Sequence, residues 1–159
     1  MDDNKGDKMK LLLQRVKEAS VTVDGEVVGA INQGLLLFVG IEPFDSEESV
    51  KKGIERAMKY RIFSDDAGKM NLSLIDRGGD LLLVSQFTLA ADTDRGLRPS
   101  FTSAAAPTLG EALFDYAVSV ARSVMEKSGA GQVATGRFGA DMQVALINDG
   151  PVTFLLETR

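Results

Sequence analysis

The polar run Ser85-Gln86-Phe87-Thr88 is the first place where this sequence could carry chemistry. It follows an apolar stretch of strand length that begins near Asp80. Strand ends often hold reactive groups, because the scaffold there is rigid and the edge is open. Main-chain N–H groups at such a point can stabilise an oxyanion. The pattern alone favours a plainer interpretation, in which these side chains bond to the main chain.

A second candidate is the segment Asn148-Asp149-Gly150-Pro151-Val152-Thr153. Pro151 cannot donate to a sheet ladder, so it belongs at a bulge or at the start of a strand. X-Pro bonds are also the ones that adopt the cis form at modest energy. Without further context the segment reads as an ordinary turn.

Two more segments have both a functional and a structural interpretation. Phe138 and Met142 follow Thr135 in a glycine-containing stretch, where Phe138 is either a core residue or the wall of a pocket; the pattern favours the core. Arg95 and Arg98 lie on a polar loop and could contact phosphates. Arginines on loops are more often part of a solvated surface.

The composition removes several classes of enzyme. The chain of 159 residues has no cysteine and no histidine. A Ser-His-Asp triad, a cysteine nucleophile and a His- or Cys-based metal site are therefore impossible. The net charge of -5 counts against a large non-specific RNA-binding surface, but it is compatible with a pocket that holds only the end of an RNA.

The elements that must position these segments are strands at both ends of the chain and two main helices. Asp24-Gly25 predicts a hairpin turn, and the run 35–41 predicts a strand buried on both faces. Asp45 or Ser46 is expected to cap a helix that ends near Tyr60. Thr108 and Glu111 suggest a capping box for a second helix that ends at Gly129. Two late strands, 142–147 and 152–156, are expected to be separated by a turn.

This order is not a regular βαβ alternation, so a doubly wound sheet is not expected. The sequence predicts an α/β protein of the α+β type, with a curved or barrel-like β-sheet flanked by two main helices in a single domain. Residues 1–8 are expected to be a disordered polar extension and residues 9–159 to form the domain. No apolar run is long enough to cross a bilayer, and no signal peptide is evident.

Together these segments resemble the D-aminoacyl-tRNA deacylase family, also called D-tyrosyl-tRNA deacylases. The resemblance covers nearly the whole chain from Met9 onward. It rests on five ordered motifs: Leu13-Gln14-Arg15-Val16 with Ala19 to Val23, Ser85 to Leu89, Arg98-Pro99-Ser100-Phe101, Thr135 to Met142, and Asn148 to Thr153. Only the extension before Met9 departs from the family pattern.

The resemblance implies an enzyme that hydrolyses the ester bond of D-aminoacyl-tRNA, and also glycyl-tRNA mischarged on tRNA-Ala. It implies Ser85, Gln86, Phe87 and Thr88 as catalytic residues. The implied substrate-binding residues are Asn148, Gly150, Pro151, Thr153, Phe138 and Met142. No metal or organic cofactor is implied. The implied partners are the aminoacylated 3′ end of tRNA and a second copy of the chain.

In the family, active sites lie at the dimer interface, and a Gly-cisPro element from the other subunit rejects L-aminoacyl-tRNA. That element corresponds here to Gly150-Pro151. Neither DNA nor a membrane is expected as a partner, and the implied location is cytoplasmic.

Elementary chemistry agrees with these implications. D and L isomers carry the same groups, so separating them requires a rigid steric obstacle. An aminoacyl ester is already activated, and a neighbouring ribose hydroxyl can assist its hydrolysis, so a site without histidine needs mainly to position the ester and stabilise the oxyanion. Three alternatives remain open: a non-catalytic domain that binds the tRNA end, a small-molecule esterase with Thr88 as nucleophile, and a purely structural dimeric domain.

Overall fold

The structure, a computed structural model, describes residues 9–91, 93–101 and 105–158, so the predicted extension 1–8 lies outside the described residues. Its strands are as follows: β1 (Lys10–Val23), β2 (Glu26–Ile31), β3 (Gly34–Gly40), β4 (Phe63–Ser64), β5 (Met70–Leu72), β6 (Asp80–Ser85), β7 (Val133–Thr135) and β8 (Gln143–Glu157). Its α-helices are as follows: α1 (Glu47–Lys59), α2 (Leu74–Arg77) and α3 (Pro107–Ser128). A 3₁₀ turn spans Phe87–Ala90.

One six-stranded sheet forms the body of the protein. Its order is β2-β1-β3-β6-β7, with β8 also paired to β1. The β3-β6 and β6-β7 pairs are parallel, and the others are antiparallel. The two ends of the order meet closely, because a Cβ atom on Gly29 of β2 would collide with the main-chain oxygen of Thr135 of β7. The sheet is therefore nearly closed and barrel-like, which confirms the predicted α+β fold.

The long strand β1 serves two hydrophobic cores. Leu11 and Leu13 pack in the core beneath the helices, whereas Val21 and Val23 pack in the barrel interior. The register of β1 against β8 shifts on both sides of Val16, and this allows the strand to change the face that it buries. The predicted two-sided burial of the run 35–41 is confirmed, since Leu35 and Leu37 belong to one core and Leu36 to the other.

Of the two predicted helix N-termini, one is confirmed and the other is wrong. Ser46 caps α1 through a reciprocal pair of hydrogen bonds with Ser49. The capping box predicted for Thr108 and Glu111 is wrong, because α3 already begins at Pro107. Proline is favoured at the first helical position, since its fixed φ suits a helix and its missing N–H is not needed there. The short helix α2 was not predicted.

Asp45 connects the start of α1 to the beginning of β1. Its carboxylate accepts hydrogen bonds from the Glu42 N–H over 2.8 Å and from the Ser49 hydroxyl over 2.7 Å, and the main chain of Met9 bonds to it as well. Burial raises the pKa of Asp45, and these hydrogen bonds offset only part of that effect. Among the described residues, no helix is long and apolar enough to span a membrane.

Candidate active site

A cleft of about 460 Å³ opens where β6 ends. Five of the predicted site residues line it, and they come from two distant parts of the chain: Ser85, Gln86, Phe87, Phe138 and Met142. The structure thus brings the end of β6 and the turn after β7 together in the lining of one cavity. Phe138 lines this cavity while also packing against the core beneath the helices. Both interpretations given above for this side chain therefore hold.

The β6 end of the cleft carries main-chain donors. The N–H of Gln86 donates to the carbonyl of Val39 over 2.9 Å, which continues the sheet to its last pair. The chain then enters the 3₁₀ turn, in which the Leu89 N–H donates to the carbonyl of Gln86 over 3.1 Å. The N–H groups of Phe87 and Thr88 have no acceptor within this turn, because a 3₁₀ turn bonds each N–H to the third residue before it.

Thr88 follows directly on the chain and is exposed. Its hydroxyl oxygen accepts a hydrogen bond from the side-chain amide of Gln86. The side chain of Gln86 thus orients a hydroxyl, although an amide has no basicity with which to deprotonate it. Of the four predicted catalytic residues, Thr88 is the one that does not line the cleft.

Phe138 is held between helix α3 and the cleft. Its ring centroid lies 6.2 Å from that of Phe114. One helical turn earlier, Gly110 is buried, and a Cβ atom added there would lie 3.3 Å from Cζ of Phe138. Since Gly110 and Phe114 share a face of α3, the helix backs the ring and leaves the cleft as its open side.

The cleft is uncharged. The residues that line it, among those the structure describes, include no acid, lysine or arginine. In the described ranges 9–91, 93–101 and 105–158, no three acidic side chains cluster in a way that could hold a metal ion. The chemistry available in the cleft is therefore that of main-chain groups, a hydroxyl and an amide.

Gly150 and Pro151 lie on β8, outside the residues that line the cleft of their own chain, and both are exposed. The Gly150-Pro151 peptide bond is cis, as the motif predicts. Gln14 of β1 pairs with Thr153 and Val16 pairs with Asn148, so residues 149–152 stand opposite Arg15 alone. The predicted turn between two late strands is thus a bulged loop within one continuous strand.

The other two predicted binding residues brace this loop. The side-chain oxygen of Asn148 accepts a hydrogen bond from the Val152 N–H over 2.9 Å, and its amide donates to the hydroxyl of Thr153 over 3.1 Å. The Gln14 amide also reaches that hydroxyl, over 3.4 Å. Asn148 and Thr153 therefore hold the base of the loop and leave Gly150-Pro151 at its exposed end.

Arg15 was part of a family motif, but no role was predicted for it. Its Nε donates to the carbonyl of Asp149 over 3.0 Å and lies 3.6 Å from the carboxylate of that residue. Its Nη1 donates to the carbonyl of Ile62 over 2.8 Å. The sequence offers one hint that a charged group turns inward here, since Arg15 continues the alternation of Leu11 and Leu13, but it does not identify the acceptors.

Comparison with known proteins gives one consistent picture. The sequence profile of the D-Tyr-tRNA(Tyr) deacylase family matches residues 12–157. A D-aminoacyl-tRNA deacylase of Ectopseudomonas mendocina (strain ymp) is 64% identical over 149 residues, which cover 94% of this chain and 99% of the relative. That of Pseudomonas fluorescens (strain Pf0-1) is 63% identical over 150 residues, which cover 94% of this chain and 100% of the relative.

Two solved structures share the fold. The c-Myc DNA unwinding element binding protein is 34% identical, with a TM-score of 0.87 over 94% of this chain and 99% of that one. A eukaryotic protein described as a probable D-amino acid tRNA deacylase has a TM-score of 0.82 over the same shares. It is 16% identical, so its likeness is one of fold alone.

Proposed function

The chain belongs to the D-Tyr-tRNA(Tyr) deacylase family, and we propose on this basis that it hydrolyses the ester bond of D-aminoacyl-tRNA. The observation that carries the proposal is the family match across residues 12–157, combined with a cleft that gathers Ser85, Phe87 and Phe138. The proteins named D-aminoacyl-tRNA deacylase match over nearly their full length, so the comparison covers the whole domain.

The proposed reaction needs little from side chains. Water adds to the carbonyl carbon of the ester, the bond from that carbon to the ribose oxygen breaks, and the ribose oxygen takes a proton. The products are the free D-amino acid and the tRNA. In this proposal the N–H groups of Phe87 and Thr88 stabilise the intermediate oxyanion, and the adjacent ribose hydroxyl assists the proton transfer. This assignment fits an uncharged cleft in a chain without histidine.

Rejection of L-aminoacyl-tRNA is assigned to Gly150-Pro151. In this proposal the carbonyl groups of the loop hold the amino group of the substrate, and the loop blocks the side chain of an L-amino acid. Support comes from the number of contacts that fix the loop from behind, namely those of Arg15, Asn148 and Gln14. Glycine has no side chain to block, so glycyl-tRNA mischarged on tRNA-Ala is proposed as a second substrate.

The site is proposed to be shared between two copies of the chain. Gly150-Pro151 does not line the cleft of its own chain, so a site that needs both must take the loop from a partner. The strand that carries the loop also exposes large apolar side chains: Ile147 is 51% exposed and Leu155 is 53% exposed. Such side chains on one strand suit burial against a second subunit. The proposed substrate belongs to translation, which places the reaction in the cytoplasm.

The direct test is deacylation of D-tyrosyl-tRNA and L-tyrosyl-tRNA by the purified protein, with sedimentation to measure its mass. Selective hydrolysis of the D ester by a species of twice the chain mass is expected. Binding of tRNA without hydrolysis of either ester would point to the accessory domain instead. Hydrolysis of simple esters through an acyl-enzyme would point to the esterase.

A further inference from the structure

A pair of exposed aromatic rings lies at the rim of the cleft. Phe87 lines the cleft and yet is 65% exposed, and Phe101 is 41% exposed. Their ring centroids are 5.2 Å apart at an interplanar angle of 51°. Exposing two large apolar rings to water is unfavourable, since burial of such side chains is a major source of stability. The oxyanion role assigned above to Phe87 uses only its main chain, so the rings themselves are unexplained.

The segment that supplies Phe101 carries two arginines. Arg95 directly follows Asp94, and from Arg95 to Phe101 there is no acidic residue, in a chain whose net charge is -5. Arg95 and Arg98 are both exposed. Arg98 is three residues from Phe101 in the sequence. Exposed arginines together with exposed aromatic rings can bind single-stranded nucleic acid, because the rings stack on bases and the cations contact phosphates.

We propose that Phe87 and Phe101, with Arg95 and Arg98, bind the unpaired nucleotides that precede the aminoacylated end of the tRNA. This inference rests on the proposed function and adds a substrate-binding surface outside the cleft. The cleft admits the terminal aminoacyl nucleotide, so the next nucleotides of the strand must leave across its rim. A ring pair at that rim offers a stacking surface that tolerates any base. The same surface explains how an acidic protein can hold an RNA end without a broad basic face.

Two substrates with the same reacting ester bond should respond differently when the ring surface is altered. D-tyrosyl-tRNA carries the preceding nucleotides, whereas the D-tyrosyl ester of adenosine has none. The substitution Phe101→Ala is expected to lower kcat/KM for D-tyrosyl-tRNA by about tenfold or more, which is the size of one base-stacking contact. Its effect on the adenosine ester should be much smaller. Phe101→Trp should restore the activity on the tRNA, and Phe101→Leu, which is apolar without a π face, should not.

Two further variants complete the test. Phe44→Ala removes another exposed ring, 75% exposed and outside the cleft lining, and should change neither substrate. Arg98→Gln is expected to weaken binding of a single-stranded RNA that ends in CCA and to reduce the salt dependence of that binding. Fluorescence anisotropy with this RNA requires no hydrolysis, so it tests the surface even if the wild-type protein deacylates neither substrate.

Three results would overturn the inference. Equal losses on both substrates would mean that Phe101 only positions Phe87. Unchanged kinetics and unchanged RNA binding in a folded Phe101→Ala protein would mean that the rings contact nothing in the complex. If the Phe101→Ala protein sediments with a different mass from the wild-type protein, then the two rings are covered by a second copy of the chain. Failure of the proposed function is distinct from all of these, since the wild-type protein would then hydrolyse neither ester.

Discussion

The guanidinium of Arg15 donates from Nε to the main-chain carbonyl of Asp149 over 3.0 Å. This contact spans two adjacent strands at the one point where four residues of β8 stand opposite one residue of β1. The same side chain donates to the carbonyl of Ile62 over 2.8 Å. Arg15 therefore supplies a donor to the Asp149 carbonyl within the interrupted ladder, and its bond to Ile62 ties that point to the segment after α1.

We expect Arg15→Ala to lower the free energy of unfolding by about 1–3 kcal/mol, because it leaves these carbonyl groups without their donor. Displacement of the loop should also reduce deacylation of D-tyrosyl-tRNA by about 10²-fold. Arg15→Lys is the matched control that keeps the positive charge. One ammonium group cannot make both hydrogen bonds of the planar guanidinium, so relative to Arg15→Ala this variant should regain more of the stability than of the activity. Urea denaturation and steady-state kinetics measure the two effects. Full activity of a stable Arg15→Ala protein would remove Arg15 from the site.

The contacts of Arg15 also mark the limit of what the sequence could predict. The two-sided burial of the run 35–41 follows from an unbroken apolar pattern, and both cores confirm it. The segment 148–151 has the residues of a turn, yet β8 runs through it, because Arg15 and Asn148 satisfy its main-chain groups from elsewhere in the chain. Such long-range contacts leave no local signal. For the same reason the motifs identified Ser85 and Phe138 as site residues but did not predict that both line one cleft.

Gly110 is expected to set the width of the cleft. In the interior of a helix, alanine is favoured over glycine by roughly 1 kcal/mol, yet a Cβ atom here would lie 3.3 Å from the ring of Phe138. Phe114 also packs against that ring, so we expect a Cβ atom at Gly110 to displace the ring toward the cleft. Gly110→Ala should therefore leave the thermal stability about unchanged while it raises KM for D-tyrosyl-tRNA.

The matched control for Gly110→Ala is Ser119→Ala, which raises helix propensity at an exposed position of the same helix. It should leave the kinetics as they are. If Gly110→Ala has wild-type KM, then the ring of Phe138 does not limit the cleft.

Thr88→Ala and Ser85→Ala are expected to retain substantial activity. The chain has no histidine, the cleft lining in the described residues is uncharged, and the Thr88 hydroxyl accepts from an amide that cannot act as a base. We expect losses below about tenfold for each substitution, since main-chain N–H groups remain in place. Single-turnover kinetics should be compared with acid quench to trap an acyl-enzyme. A loss of about 10⁴-fold in either variant would favour covalent catalysis, and an acyl-enzyme trapped on Thr88 would establish that residue as the nucleophile.

Two aspartates should give the stability of the fold opposite dependences on pH. Burial raises the pKa of Asp45, so the folded state binds more protons than the unfolded state above pH 3.8, and this residue makes stability fall as the pH rises. Main-chain and side-chain hydrogen bonds from Ser73 lower the pKa of Asp76, which makes stability rise with pH up to about that same value.

Urea denaturation between pH 3 and pH 7 gives the free energy of unfolding of each variant relative to the wild-type protein. As the pH rises, this difference should change in opposite directions for Asp45→Asn and Asp76→Asn. Each variant removes one titration, so its difference from wild type isolates that residue. The cost of ionising Asp45 is absent below the unfolded pKa and grows as the pH passes through the raised folded value. Parallel curves for the two variants would contradict the assigned directions.

Gly150 is a position at which the proposed chiral filter can be tested by substitution. Its φ of +135° lies in a region that side-chain-bearing residues rarely adopt. A Cβ atom there would lie 2.7 Å from Cγ2 of Val152 and 3.2 Å from Nη2 of Arg15. Val152 is buried, so the loop and not the core must move. Gly150→Ala is thus expected to displace the proposed filter while most of the sheet survives.

The control for Gly150→Ala is Gly25→Ala in the β1-β2 hairpin. Gly25 has a φ of +79°, and a Cβ atom there would meet nothing within 4 Å. Gly25→Ala also carries a backbone penalty for a positive φ, of about 1–2 kcal/mol, without displacing a neighbour. Rates of deacylation of D- and L-tyrosyl-tRNA should then separate the two variants. Gly25→Ala should keep the wild-type ratio of D to L rates, whereas Gly150→Ala should lower the D rate and bring the ratio closer to one. A folded Gly150→Ala protein that keeps both its D rate and its ratio would locate the chiral filter elsewhere, since no displaced loop could hold the same substrate in the same way.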